Sequence, residues 1–315
     1  MIQPDKPLRL GIAGVGKIAR DEHIPSIGRT GGFVLSATAS RNAGVDGVAG
    51  FRALDEMLAG APELEAVALC TPPQVRYDMA CAAIAAGKHV LLEKPPGVTL
   101  SEVHDLVDRA QAAGVTLYAT WHSRHAACVE TARLWLEQRT VTDGHITWRE
   151  DVTHWHPGQD WIWEPGGMGV FDPGINALSI LTEILPFAVH LVRSTLEVPE
   201  NRSQPIAASL AFAGPGGAEI EADFDWRQKG PQTWDIRIET TDGTVTLSQG
   251  GSRIAFDDSA PKPGSDQHVT EYDRIYRRFS GLIADGRSDV DLAPFRHVAD
   301  AFMLADIKPT APFVE

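Results

Sequence analysis

Cysteine is scarce: Cys70, Cys81 and Cys128 are the only three in 315 residues. They are too few and odd in number for a disulfide framework, and their spacing suits no metal site. A reducing compartment is the natural setting for such a chain. Basic charge is also in deficit, with 28 Lys and Arg against 42 Asp and Glu and a net charge of −14. That balance disfavours nucleic acid and anionic membrane surfaces, both polyanionic, while leaving room for a local phosphate pocket. No apolar run approaches the roughly 20 residues of a membrane span. The opening MIQPDKPLRL lacks the basic-then-apolar pattern of a signal peptide. The expectation is a cytoplasmic protein without nucleic-acid or membrane partners.

What is present is an ordinary globular composition, 43% hydrophobic and 22% charged, with no repeats. The length suits two domains. Leu8–Ala13 reads as a buried strand, followed by Gly14-x-Gly16-x-x-Ala19 and a helical stretch over 17–27. Glycine at 14 permits a tight turn, glycine at 16 allows backbone to approach a pyrophosphate, and small Ala19 lets helix pack on strand. The helix N-terminus, at Lys17 and Ile18, offers free N–H groups to phosphates. A plain glycine-rich turn is the competing reading.

A second strand, Phe33–Ala39, ends in Ser40-Arg41-Asn42. An acidic residue here would favour the 2′-hydroxyl of NAD. A hydroxyl and a guanidinium suit a 2′-phosphate instead, so NADP is expected to be preferred, with NAD also accepted. Alternation then continues: helix 54–58, strand 66–70, helix 75–86, strand His89–Leu92, helix Leu100–Ala113, strand 115–120. Such alternation means a doubly wound parallel sheet, whose ligands gather at the carboxyl ends of the strands. Thr71, Pro72, Lys94 and His122 all fall there.

After a helix over 126–139 and a strand over 146–152 the composition changes. Residues 148–176 hold four of the eight tryptophans, the histidines His154 and His156, and five carboxylates (Glu150, Asp151, Asp160, Glu164, Asp172). Indole faces suit the C–H patches of a sugar, and carboxylate, amide and imidazole suit its hydroxyls. A Trp-rich core loop is the plainer alternative. Asp172, one residue before Pro173, reads as the N-cap of a helix over 175–185. It also lies four residues from Asn176, hence on the same helix face. His154-x-His156 would share a face on a strand, but imidazole as a sugar partner needs no metal, and none is expected. Strands over 190–198, 206–213, 218–226, Thr233–Thr240 and 244–248, then helices over 272–284 and 295–305, describe an α+β second domain. The domains divide at 1–124 and 125–315, with the last helix able to return to the first.

Gly14-x-Gly16-x-x-Ala19, Glu93-Lys94-Pro95 and the order of Rossmann domain then sheet resemble the Gfo/Idh/MocA oxidoreductases over nearly the whole chain. The runs GVGKIARDEHIP, CTPPQVRYDMA, LLEKPPGVTL, ATWHSRH and WHPGQDWIWEPGGMGVFDPGIN are most similar to members that oxidise L-arabinose or D-galactose. The resemblance implies oxidation of an aldose at its anomeric carbon to a lactone, with NAD(P) as hydride acceptor. It implies catalytic roles for Lys94, Asp172 and Asn176. Glu93 and Lys94 would lie against the cofactor, and Lys94 again, with His122, Glu150, Trp155, His156, Asp172, Asn176 and Trp234, against the sugar. Many members carry His where this chain has Asn176, which cannot accept a proton, so the base falls to Asp172, to a neutral Lys94 or to a water between them. The family's paired subunits make a homodimer the expected assembly. A non-catalytic sensor of sugar and dinucleotide is the alternative, disfavoured because a sensor has no need of both Lys94 and Asp172.

Overall fold

The computed structural model describes residues 6–257, 259–266 and 268–314. The first five residues of the opening decapeptide, on which the reading of the N-terminus partly rests, lie outside them. The chain begins with β1 (Leu8–Ala13), a π-helical turn (Ala19–His23) running into α1 (Ile24–Thr30), β2 (Phe33–Ala39), β3 (Ala49–Phe51), α2 (Leu54–Gly60) and β4 (Ala66–Leu69). It continues through α3 (Pro73–Ala85), β5 (His89–Leu92), α4 (Leu100–Ala113), β6 (Leu117–Ala119) and α5 (Val129–Leu136). Next come β7 (Val141–Arg149), the single turn α6 (Val152–Trp155), α7 (Phe171–Ile184), β8 (His190–Pro199), β9 (Ala207–Ala213) and β10 (Glu219–Asp225). The last elements are β11 (Thr233–Thr240), β12 (Gly243–Ser248), β13 (Arg253–Phe256), β14 (Lys262–Pro263), α8 (Glu271–Ala284), α9 (Ala293–Met303) and β15 (Ala305–Thr310).

Two compact units emerge. One comprises the chain up to Trp121 together with Val269–Asp291; the other comprises His122–His268 and the chain from Leu292. The first unit holds a parallel six-stranded sheet in the order β3-β2-β1-β4-β5-β6, the doubly wound arrangement expected from the alternation. Both faces of such a sheet need cover. Val67, Leu69, Val90 and Leu92 pack with Leu54, Met57, Ala80, Ala83 and Leu106 from α2, α3 and α4. On the opposite face Leu10, Ile12, Ala68 and Leu91 meet Ile27 of the short α1 and Tyr272, Ile275, Tyr276 and Phe279 of α8. The seven residues of α1 cannot cover that face, and α8 completes it. Thr270 caps α8, accepting the N–H of Asp273, whose carboxylate takes the Thr270 N–H in return.

The second unit is built on a nine-stranded sheet in the order β14-β13-β12-β11-β7-β10-β9-β8-β15. It is mostly antiparallel, with parallel pairings of β7 with β10 and of β8 with β15. The strand pattern missed β13, β14 and β15, all short or exposed, and so lacking a clear alternation of apolar residues. Helix α7 lies against β7 and β11. Its approach to β10 depends on Gly174, where a Cβ would stand 2.8 Å from the ring of Phe224.

Candidate functional site

In the first unit, sheet order does most of the assembly. Strands β2, β1, β4 and β5 are consecutive neighbours, so their carboxyl ends form one edge. That edge carries Ser40 and Arg41 after β2, Gly14–Gly16 after β1, Thr71 and Pro72 after β4, and Glu93 and Lys94 after β5. Gly14 has φ +93°, and a Cβ there would meet the Cys70 carbonyl group at 2.9 Å. Its N–H donates to Ala39 O at 2.9 Å, which fixes the turn beside the end of β2. A Cβ at Gly16, by contrast, would meet nothing within 4 Å. One glycine is required by the turn, and the other leaves backbone open to a ligand.

The helix after this turn starts at once, with Arg20 N–H donating to Gly16 O. It then widens into the π-helical turn over Ala19–His23, two residues before Pro25. Proline has no N–H and its ring crowds the carbonyl a turn earlier, and a π-turn relieves both conflicts. Open backbone, free helix N–H groups and the exposed Arg41 at the end of β2 together fit a dinucleotide phosphate group.

Glu93 was expected against the cofactor, but its carboxylate is buried and turned into the protein. Oε1 accepts the Tyr272 hydroxyl at 2.7 Å and lies 3.0 Å from His23 Nε2. Oε2 accepts the Lys94 N–H at 2.9 Å. His23 Nδ1 stands 2.7 Å from the Tyr276 hydroxyl. Arg76, also buried, donates to the carbonyl of Glu93 at 2.6 Å and to those of Pro95 and Thr71. The Lys94-Pro95 peptide is cis. None of His23, Arg76, Tyr272 and Tyr276 was identified from the sequence. The regular strand–helix context of His23 and Arg76 and the late position of α8 gave no sign that they converge.

In the second unit the Trp-rich stretch does gather polar groups. Glu150 follows β7 directly and is buried. Its Oε2 accepts Trp234 Nε1 at 3.0 Å and its Oε1 accepts Trp226 Nε1 at 3.3 Å. Trp234 lies directly across the ladder from Trp148, with ring centroids 6.2 Å apart, and 5.6 Å from Trp155. Trp155 remains 37% exposed, offering a flat apolar face. Asp151 caps α6 through the Thr153 N–H, and Gln232 takes the Asp151 N–H at 2.8 Å. This turn delivers His156 to Asp172, Nε2 to Oδ2 at 3.4 Å, with the imidazole against Trp226 at 5.3 Å. Gln159 Oε1 stands 3.4 Å from His156 Nδ1.

Two expectations are corrected here. Asp172 is not the N-cap of its helix: α7 starts at Phe171, the capping position is Val170, and no side chain caps it. The Asp172 N–H already reaches back to Gly169 O at 2.8 Å, so the helix begins before Pro173, which a first turn tolerates. Asp172 therefore sits buried within the first turn, four residues from the half-buried Asn176. His154 and His156 are not alternate residues of a strand, because α6 is a helical turn, with His156 at its end. Among the described residues no group of three or more His, Cys, Asp or Glu is arranged to hold a metal. His122 opens the second unit in a 3₁₀ turn over His122–His125, with Nδ1 3.3 Å from the Ser123 hydroxyl. Trp226, fully buried at the centre of this cluster, was missed as a site residue; it lies outside the contiguous stretch and is brought in by β10.

Known proteins bear on this geometry. Residues 8–120 match the model of an oxidoreductase family with an NAD-binding Rossmann fold. The chain is 42% identical over 302 residues to a galactose 1-dehydrogenase of Pseudomonas fluorescens, covering 95% of this chain and 96% of that one. The crystal structure of a D-galactose-1-dehydrogenase from Rhizobium etli superposes with a TM-score of 0.92 at 50% identity, covering all of both chains. A 3-ketoreductase from Actinomadura kijaniata, solved with NADP and TDP-benzene, has a TM-score of 0.81 at 16% identity, covering 97% of this chain and 100% of that one, and so shares the fold. An open glycine turn at the edge of a parallel sheet, a buried Glu-Lys-Pro motif and full-length similarity place the chain in the Gfo/Idh/MocA family of oxidoreductases.

Proposed function

We propose that the protein is an aldose 1-dehydrogenase, oxidising the anomeric carbon of D-galactose, and of L-arabinose and D-fucose, to the aldonolactone. The observation that carries this reading is the second unit's cluster: a buried Asp172 beside His156, joined through Trp226 to a Glu150 oriented by two indole N–H groups. Full-length similarity to galactose 1-dehydrogenases supports the choice of substrate class.

Oxidation at C1 removes a hydride from carbon and a proton from the anomeric hydroxyl. A bound nicotinamide dinucleotide supplies the hydride acceptor. Asp172 takes the proton, and the Lys94 ammonium stabilises the alkoxide charge that develops as it leaves. Asn176 can orient a hydroxyl but cannot act as base. Glu150, His122 and His156 accept or donate to ring hydroxyls, and the exposed face of Trp155 with Trp234 covers the C–H side of the sugar. Ser40 and Arg41 favour the 2′-phosphate of NADP, with NAD also used. Three free thiols are consistent with work in the cytoplasm.

The three sugars share their configuration at C2, C3 and C4 and differ in the group on C5. Discriminating one CH2OH is worth about 1–3 kcal/mol, so overlapping activities are expected. Initial rates of NADP and NAD reduction with D-galactose, L-arabinose, D-fucose, D-xylose and D-glucose test the reading. Activity on the first three and little on the last two is the expected result. No activity on any sugar by a protein that still binds dinucleotide would replace the enzyme with a sensor.

A further inference from the structure

The Glu93-Lys94-Pro95 segment is bracketed by buried polar groups that no proposed chemical step uses. On one side lies the Glu93 carboxylate, 4% exposed, with His23 at 0% and Tyr272 at 3%. A carboxylate taken from water is costly unless its oxygens are met by donors. Here Tyr272 Oη and His23 Nε2 meet Oε1, and the Lys94 N–H meets Oε2. Burial opposes a charged imidazole at His23. Cys70, Tyr276 and Glu93 outweigh it and hold the His23 pKa well above the usual value. Charge on the imidazole and charge on the carboxylate thus support each other. On the other side, Arg76 donates to the carbonyls of Glu93 and Pro95, the residues flanking Lys94, and to that of Thr71 at the end of the neighbouring strand.

Two of the three anchors come from distant parts of the sequence. His23 lies 70 residues before Glu93 on the helix after the glycine turn, and Tyr272 lies 179 residues after it on α8. A network satisfied at this many points has one low-energy geometry, because each displaced member leaves a buried polar group without its partner. At the sheet edge it reaches the backbone of Lys94, held at its own N–H and at the carbonyls before and after it, and, through Arg76, the carbonyl of Thr71.

We infer that His23, Tyr272 and Arg76 are positioning residues that act through Glu93 and the backbone around it to present the Lys94 ammonium in one place. Glu93 on this account serves Lys94 rather than the dinucleotide. The inference rests on the proposed role of Lys94. A shift of about 1 Å in a catalytic group can cost on the order of a hundredfold in rate. The network therefore controls turnover without touching sugar or cofactor.

Tyr272→Phe removes one hydroxyl and keeps the ring that packs in the core. His23→Gln and Arg76→Lys are independent second variants. For each, kcat, sugar KM, the NADPH dissociation constant by fluorescence titration, and the melting temperature are measured. The expected result for Tyr272→Phe is a folded protein with kcat lowered about ten- to hundredfold and NADPH affinity within about twofold of wild type. Glu93→Gln, which keeps an acceptor for the Lys94 N–H, is expected to retain more kcat than Glu93→Ala. Unchanged kcat in the folded variants overturns the inference. So does loss of NADPH affinity in proportion to kcat/KM, which would return Glu93 to the cofactor. Lys94→Ala with wild-type turnover would instead defeat the proposed role of Lys94, and is read separately from the other variants.

Discussion

The two units assemble their polar groups by opposite routes. In the first, neighbouring parallel strands deliver Gly14, Ser40, Thr71 and Lys94 to one edge by topology alone, and each lies in or beside a short local motif. In the second, Glu150 is held by Trp226 and Trp234, 76 and 84 residues further along the chain, brought in by strand pairing across the nine-stranded sheet. The first unit cancels its buried charges internally, as at Glu93 and His23. The second keeps an indole partly in solvent, and the imidazole of its own pair, His156 with Asp172, is partly exposed where His23 is fully buried. Binding a dinucleotide needs mostly backbone and helix ends, which a turn supplies, whereas binding a sugar needs side chains at several angles, which takes non-local pairing.

The contrast is broken most severely at Asp172. Asp172→Ala removes the proposed base from the second unit and is expected to lower kcat by at least about a thousandfold, within the range set by loss of general-base catalysis. Dinucleotide affinity is expected to stay near wild type, since the elements proposed to face the phosphates belong to the first unit. Turnover within about tenfold of wild type would take Asp172 out of the mechanism. A parallel loss of dinucleotide binding would show that the two sets of residues do not act separately.

A smaller effect is expected at Arg41. Arg41→Ala should raise the KM for NADP by about tenfold while moving that for NAD by less than about twofold, because only NADP carries the 2′-phosphate that a guanidinium grips. Equal effects on both nucleotides would show Arg41 to be a solvated strand-end residue.

How much of this was legible follows the same division. Gly14, Gly16 and the strand ends were readable because local spacing and sheet order determine where they go. Thr233–Thr240 was read to the residue, since its apolar Trp234, Ile236 and Ile238 alternate with polar residues. Trp226 and Gln232 could not be reached that way, because their role depends on which strand pairs with β7. Asp172 was placed within the right helix but misread as its cap. Proline signals a first turn without saying which of its positions it occupies. Glu93 was expected against the cofactor with Lys94, as part of the motif that carries the family resemblance. The inward partners of its carboxylate come from the π-helical turn before α1 and from α8, and only tertiary packing reveals them.

The smallest effect sharpens the comparison at the helices that close each unit. Helix α8 has a reciprocal cap between Thr270 and Asp273, whereas α9, with Leu292 at its capping position, has no side-chain cap. Burial would raise the Asp273 pKa, but hydrogen bonds from Arg29, Ser26 and the Thr270 N–H outweigh it and hold the group below its ordinary value. A depressed carboxylate contributes stability that is present above its unfolded pKa, about 3.9, and lost as pH falls through the lower folded value. Asp273→Asn is therefore expected to cost about 1 kcal/mol at pH 7, the usual worth of such a cap. The gap between variant and wild type should close as the pH drops below about 4. Arg29 is half exposed, so added salt should trim the cost only slightly. Denaturant midpoints at pH 7 and pH 3 make the check. A cost that persists unchanged at pH 3 would mean that the carboxylate's charge is not what caps α8.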